Sequence, residues 1–187
     1  MRATSAPLSY HSRTMTLETG RLAPPFTLLA LDGREYRLPA GFEGQPGVVV
    51  FVRAGCPTCD VAMPYYNRLC EAYPDGWHLW AVSQDPTPRA QAYAAKFALP
   101  FPVLIDAPAL AVSRTYDPPS TPTLFLVDEA GRVDYVSEGF AKDDLNELSA
   151  RLASRLGRDA VLIAPADDGN PAMRPGCMSR HLFPSRA

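Results

Sequence analysis

A β-branched run, PGVVVFVR over residues 46–53, is followed after Ala54 and Gly55 by Cys56-Pro57-Thr58-Cys59. A continuous apolar run of this length predicts a strand buried on both faces, which places it at the centre of a sheet. Beyond it, CDVAMPYYNRLCEAY (59–73) spaces Cys59, Met63, Tyr66 and Cys70 as one face of a helix, with Pro64 expected to kink it. Proline is tolerated in a first helical turn, so the helix is expected to open at about Pro57. A strand, a tight turn and a helix with two cysteines at the junction constrain the fold more than any other stretch of the chain.

The remaining segments extend the same α/β pattern. FTLLALDGREYRLP (26–39) holds two short apolar runs around Asp32-Gly33, a hairpin signal. Strands are expected at WHLWAVSQD (77–85), FPVLID (101–106), PTLFLVD (122–128) and RVDYVSE (132–138), with a turn at 129–131. Helices are expected at PTPRAQAYAAKFAL (86–99), PALAVSRTY (108–116) and AKDDLNELSARLASRLG (141–157). In the last, Leu145, Leu148, Leu152 and Leu156 face inward and Gly157 is the stop. Alternating strands and helices predict a mixed central sheet flanked by helices, with an N-terminal β-hairpin extension. Three parts follow: a flexible segment 1–19, a domain 20–157, and an irregular tail 158–187. VLIAP (161–165) is the one piece of that tail expected to dock on the body.

Composition narrows the function classes. The 187 residues are 47% hydrophobic and 20% charged, enough apolar material for a globular core. A net charge of −2 gives no electrostatic case for nucleic acid as a partner. No apolar run reaches membrane-spanning length, so no membrane is expected as a partner. The first twenty residues show no apolar stretch of signal-peptide type, and Met15 is an alternative start. A cytoplasmic location is the expectation, where a CxxC is more often catalytic or metal-binding than structural.

The chemistry follows from where Cys56 falls. At a helix N-terminus the unpaired N–H groups and the macrodipole favour an anion, so the thiol pKa drops below its free value of about 8.5. Cys59, one turn inside, reaches the Cys56 sulfur. Cys56 is the expected nucleophile towards a disulfide or a peroxide, and Cys59 the resolving thiol that closes the internal disulfide. This chemistry requires Cys56 within reach of solvent and Cys59 within bonding distance of it.

The assembled pieces resemble the thioredoxin superfamily. Within it they are most similar to the redoxin group that joins the alkyl hydroperoxide reductase/thiol-specific antioxidant (AhpC/TSA) proteins to the thioredoxin-like thiol–disulfide oxidoreductases. The carriers, in order, are GRLAPPFTLLALDGREYRL, VVVFVRAGCPTC, AVSQD, KFALPFPVLID and STPTLFLVDEAGRV, spanning roughly Gly20 to Gly157. The resemblance implies a thioredoxin-like three-layer sandwich. It implies a cis-proline at Pro122, facing the cysteines, with Thr121 presenting its backbone to an extended substrate; Pro57, Thr58, Thr121 and Pro122 then form the substrate groove. It implies no metal or organic cofactor, a disulfide or hydroperoxide substrate, and electrons from a thioredoxin-like or glutathione system. Three positions depart from the pattern. Arg53 stands where peroxiredoxins carry a Thr or Ser, Val50 where thioredoxins bury an Asp, and Gly55 where thioredoxins carry a Trp.

Arg53 has two readings, a cation that lowers the Cys56 pKa or a side chain directed to solvent. Besides redox chemistry, the CxxC admits two other readings: an inert pair of core thiols, and a zinc site completed by Cys177 and His181 from CMSRH. Cys70 is expected in the core. Cys177 is expected as an exposed spare thiol, with a second resolving cysteine or a contact to a partner chain as its other readings. His78, Trp77 and Trp80 are expected to be structural.

Overall fold

A computed structural model describes residues 17–183. The expectations for residues 1–16, including the start at Met15, lie outside that range. The described end of the N-terminal segment is fastened to the body, with Leu17 N donating to Tyr116 O at 3.3 Å and Gly20 N to Val133 O at 2.7 Å.

The chain opens with an antiparallel hairpin, β1 (Phe26–Leu29) and β2 (Glu35–Leu38). Then come β3 (Gly47–Val52), α1 (Pro57–Ala72), β4 (His78–Ser83), α2 (Thr87–Lys96), β5 (Val103–Ile105) and α3 (Ala111–Tyr116). The short β6 (Ser120–Thr121) leads into β7 (Thr123–Val127), β8 (Val133–Glu138), β9 (Phe140–Ala141) and α4 (Lys142–Leu156). Two further strands, β10 (Met173–Arg174) and β11 (Cys177–Met178), lie in the tail.

The central sheet has the order β5-β4-β3-β7-β8. β3 runs parallel to β4 and antiparallel to β7, so the mixed sheet expected from the sequence is present. Period-two alternation sends the side chains of β3 to two cores. Val48, Val50 and Val52 pack with α1, α2 and α4, whereas Val49 and Phe51 pack with α3 and the hairpin side. All of β3 is buried, because it lies at the sheet centre with cover on both faces. In α4, Leu145, Leu148 and Leu152 are buried and Leu156 is half-buried, and Gly157 ends the helix in the left-handed region (φ 62°). α1 continues through Pro64, which lies on its exposed face.

The tail differs from the irregular segment expected. Asn146 in α4 accepts from the backbone N–H groups of Ile163 and Ala164 at 3.0 and 2.9 Å, which docks the first stretch. Asp168 then takes the buried Lys142 ammonium at 2.6 Å and the Tyr65 hydroxyl at 2.6 Å. Beyond it β10 pairs with β9, and β11 pairs antiparallel with β6, with Cys177 opposite Thr121 and Met178 opposite Ser120. Cys177 is therefore not an exposed spare thiol but a half-buried member of a strand. Two-residue strands carry no periodicity, and their hydrogen-bond partners lie more than thirty residues away, so local sequence gives no sign of them.

Leu148, fully buried under the sheet, tests the layer packing. Leu148→Ala should cost about 2–5 kcal/mol of stability in urea unfolding, and a loss within about 0.5 kcal/mol would contradict it.

Candidate active site

Cys56 is the N-cap of α1, in extended conformation, and its Sγ accepts from the Cys59 backbone N–H at 3.3 Å. A sulfur here does what a Ser or Asp oxygen does at other helix starts, satisfying one of the orphan N–H groups. Gly55, immediately before it, has φ +77°, so the turn from sheet to helix requires a left-handed residue at the position where the superfamily pattern carries Trp.

The thiols are unequal. Hydrogen bonding from the Cys59 side chain lowers the Cys56 pKa to about 4, aided by the Cys177 thiol, the Cys59 backbone and Thr121, against the opposing effect of burial. Burial, together with the hydrogen bond and charge of Cys56, pushes Cys59 well above its ordinary range. The pair therefore holds one proton on Cys59 and a negative charge on Cys56 across neutral pH. When Cys56 is protonated its thiol has an acceptor in the Thr121 carbonyl, 3.1 Å away. Thr121–Pro122 is a cis bond.

Both sulfurs lie at 0% exposure. The expectation that Cys56 is open to solvent is therefore corrected, and the cause is the tail. Thr58 Oγ1 donates to the Pro175 carbonyl at 2.7 Å, and β11 occupies the edge of β6. Gly176 allows this close approach: a Cβ there would overlap the Ser120 side chain and meet Thr121 O at 3.0 Å. Two residues expected to receive an extended substrate, Thr58 and Thr121, thus receive the chain's own tail. Pro57 remains exposed.

The structure brings Cys177 to this site without His181. The Cys177 pKa is raised by burial and by the hydrogen bond and charge of Cys56. The His181 ring bonds Ser179 Oγ at 2.8 Å through Nδ1 and Asp117 Oδ1 at 2.9 Å through Nε2, so the four zinc ligands are not gathered. Arg53 is half-buried with no hydrogen-bond partner for its Nε among the described residues. Its charge lowers the Cys177 pKa, while the leading influences on Cys56 are those named above.

Sequence reasoning missed the residues that hold this region together. Asp85, buried at the end of β4, accepts from Ala54 N at 2.5 Å and from Arg180 Nη2 at 2.7 Å, tying the pre-cysteine loop to the tail. Gln84 donates to Ser179 at 2.6 Å and to Ser113 at 3.0 Å. The available signal was position: both follow a strand adjacent and parallel to β3, and the carboxyl ends of such strands border the site in α/β sheets. Tyr66 and Tyr93 close around Cys59, and burial pushes both phenols upward.

A family model described as the AhpC/TSA family matches residues 19–136. The chain belongs to the AhpC/TSA family. Among curated proteins of similar sequence, thiol-disulfide oxidoreductase ResA of Geobacillus thermodenitrificans (strain NG80-2) is 31% identical over 142 residues, covering 74% of this chain and 80% of that protein. Thioredoxin-like protein YneN of Bacillus subtilis (strain 168) is 27% identical over 135 residues, covering 70% and 78%. Among solved structures, a putative thiol:disulfide interchange protein DsbE from Chlorobium tepidum superposes with a TM-score of 0.69 at 28% identity, covering 76% of this chain and all of that one. An uncharacterized conserved protein from Geobacillus kaustophilus superposes equally well, TM-score 0.69, at 23% identity over 87% and 92% of the two chains. The fold of this family member is thioredoxin-like, and its relatives include proteins named thiol-disulfide oxidoreductases.

Gly176→Val should lift β11 from β6. Overpacking of this kind costs about 1–3 kcal/mol, so alkylation of Cys56, read by peptide mapping, should accelerate about tenfold or more. An unchanged rate would mean the tail does not shield the sulfur.

Proposed function

We propose that the protein is a thiol–disulfide oxidoreductase in which Cys56 is the nucleophile and Cys59 the resolving thiol. The observation that carries this reading is the capping geometry: the Cys56 sulfur at the start of α1 accepts from the Cys59 backbone N–H at 3.3 Å, with the buried Cys59 thiol one turn inside. In the reducing direction β11 separates from β6, which uncovers Cys56, and the Cys56 thiolate then attacks a substrate disulfide. A mixed disulfide forms and the first substrate thiolate leaves. Cys59 then loses its proton and attacks Cys56 Sγ, closing the internal disulfide and expelling the second substrate thiolate. Two electrons pass to the substrate, and an external thioredoxin-like dithiol or two equivalents of glutathione return them. Pro57, Thr58, Thr121 and Pro122 shape the groove in which the mixed disulfide is held. The names of the relatives support this reaction class, and Arg53 at the peroxidatic Thr/Ser position weighs against specialised peroxide chemistry.

Stabilising the Cys56 thiolate favours the dithiol state and makes the couple more oxidising. The unequal pKa values also set its pH dependence. Between about pH 5 and pH 9 the reduced pair keeps one proton, so two electrons are accompanied by one proton. The midpoint should then fall by about 30 mV per pH unit. A slope of about 60 mV per unit would show two protonated thiols and overturn the assignment of the anion to Cys56.

Catalysis gives the second test. Cys56→Ser should lose about 10³-fold or more of disulfide-reductase activity, and Cys59→Ser/Cys177→Ser, which leaves no second thiol beside Cys56, should stall as a mixed disulfide on Cys56. In stopped-flow mixing with hydrogen peroxide, the reduced protein should oxidise at a rate near that of a free thiol. A rate several orders of magnitude higher would replace this reading with a hydroperoxide reductase using the same cysteines.

A further inference from the structure

Three sulfurs meet at the start of α1, although only two belong to the CxxC. Cys177 is placed by backbone pairing, opposite Thr121 in the β11–β6 register. It is also held by Thr58 Oγ1 on the Pro175 carbonyl and by the cradle that Gly176 makes against Ser120 and Thr121. Gly139 (φ +74°) completes the seat, since a Cβ there would come within 2.8 Å of Arg174 O and of Gly176 N. The far end is anchored by Ser179 on Gln84 and Arg180 on Asp85. A strand held this firmly beside β6, with a cysteine opposite Thr121, has the form of a bound substrate strand.

We propose that Cys177 is a third redox-active thiol, which exchanges with the Cys56–Cys59 disulfide to form a Cys56–Cys177 disulfide. This inference rests on the thiol–disulfide reading of the CxxC. In the step, the Cys177 thiolate attacks Cys56 Sγ. The Cys56–Cys177 bond forms, the Cys56–Cys59 bond breaks, and the electron pair leaves on Cys59, which takes up a proton. The proton released by Cys177 goes to solvent. One disulfide and one thiol stand on each side, so no external oxidant or reductant is consumed. The exchange moves one end of the disulfide from fully buried Cys59 to half-exposed Cys177.

The surroundings of Cys177 suit it to act on the oxidised pair. In the reduced protein burial, together with the hydrogen bond and charge of Cys56, raises the Cys177 pKa. Once Cys56 is in a disulfide its hydrogen bond and charge no longer act on Cys177, while burial remains. The influences that favour the Cys177 thiolate remain as well: the Thr58 backbone N–H at the start of α1 and the charge of Arg53. Forming the target disulfide therefore removes part of what holds Cys177 protonated.

The test uses the full chain. Wild type, Cys59→Ser, Cys59→Ala and Cys59→Ser/Cys177→Ser are each oxidised with diamide or glutathione disulfide. The samples are then acid-quenched, alkylated and mapped by mass spectrometry. The expected result is a Cys56–Cys177 cross-linked peptide as the main product in both Cys59 single variants, and as a minor species beside Cys56–Cys59 in wild type. With glutathione disulfide, the double variant should retain one glutathione on Cys56, whereas the single variants should lose it to Cys177. Stable glutathione on Cys56 in the single variants, with Cys177 alkylated and no cross-link in wild type, overturns the proposal. Absence of the Cys56–Cys59 peptide from oxidised wild type would instead overturn the underlying reading of the CxxC.

Discussion

The Cys56 sulfur caps α1 in place of the usual hydroxyl or carboxylate, and the rest of the site is arranged around that substitution. A helix start presents N–H groups that need an acceptor, and here the acceptor is also a candidate nucleophile. The arrangement works only because β3 ends immediately before the turn. Its burial on both faces leaves the chain no freedom to slide, so Gly55 turns left-handed and Cys56 falls on the cap. Cys59, one turn deeper among Tyr66 and Tyr93, then carries the proton that Cys56 gives up. The opposite pKa directions of the two thiols are one physical fact, a shared proton in a poorly solvated place.

The tail alters what this site presents to solvent. Without it, Thr121 would offer an unpaired backbone edge beside a reactive sulfur, an arrangement open to an incoming strand. With it, that edge is paired and both CxxC sulfurs are covered. The cover is held by buried polar contacts at Gln84, Asp85, Ser179 and His181 rather than by apolar packing alone. Substrate access therefore depends on how readily the β11 segment separates from β6, and that equilibrium belongs to the same thermodynamic account as binding: any strand that enters must contribute more than β11 loses.

The layered fold was legible because its signals are local. The β-branched run at 46–53, the helical spacing of Leu145, Leu148 and Leu152, the Asp32-Gly33 turn and Gly157 each report on a few neighbouring residues, and each element formed close to its expected bounds. The cysteine pair was legible for the same reason, since a CxxC next to a strand end is a short-range pattern. Asp85 and Gln84 were visible only as the end of a strand. Their partners, Ala54, Arg180 and Ser179, lie 31 to 95 residues away.

By itself the sequence determined that this chain builds an α/β sheet with two cysteines at a strand–helix junction, because periodicity and helix-terminus chemistry act over a few residues. Only the tertiary structure decided that the sulfurs are covered and that a third joins them. That outcome depends on two-residue strands, β6 and β11, whose pairing arises when segments more than fifty residues apart meet, and no local pattern encodes such a meeting.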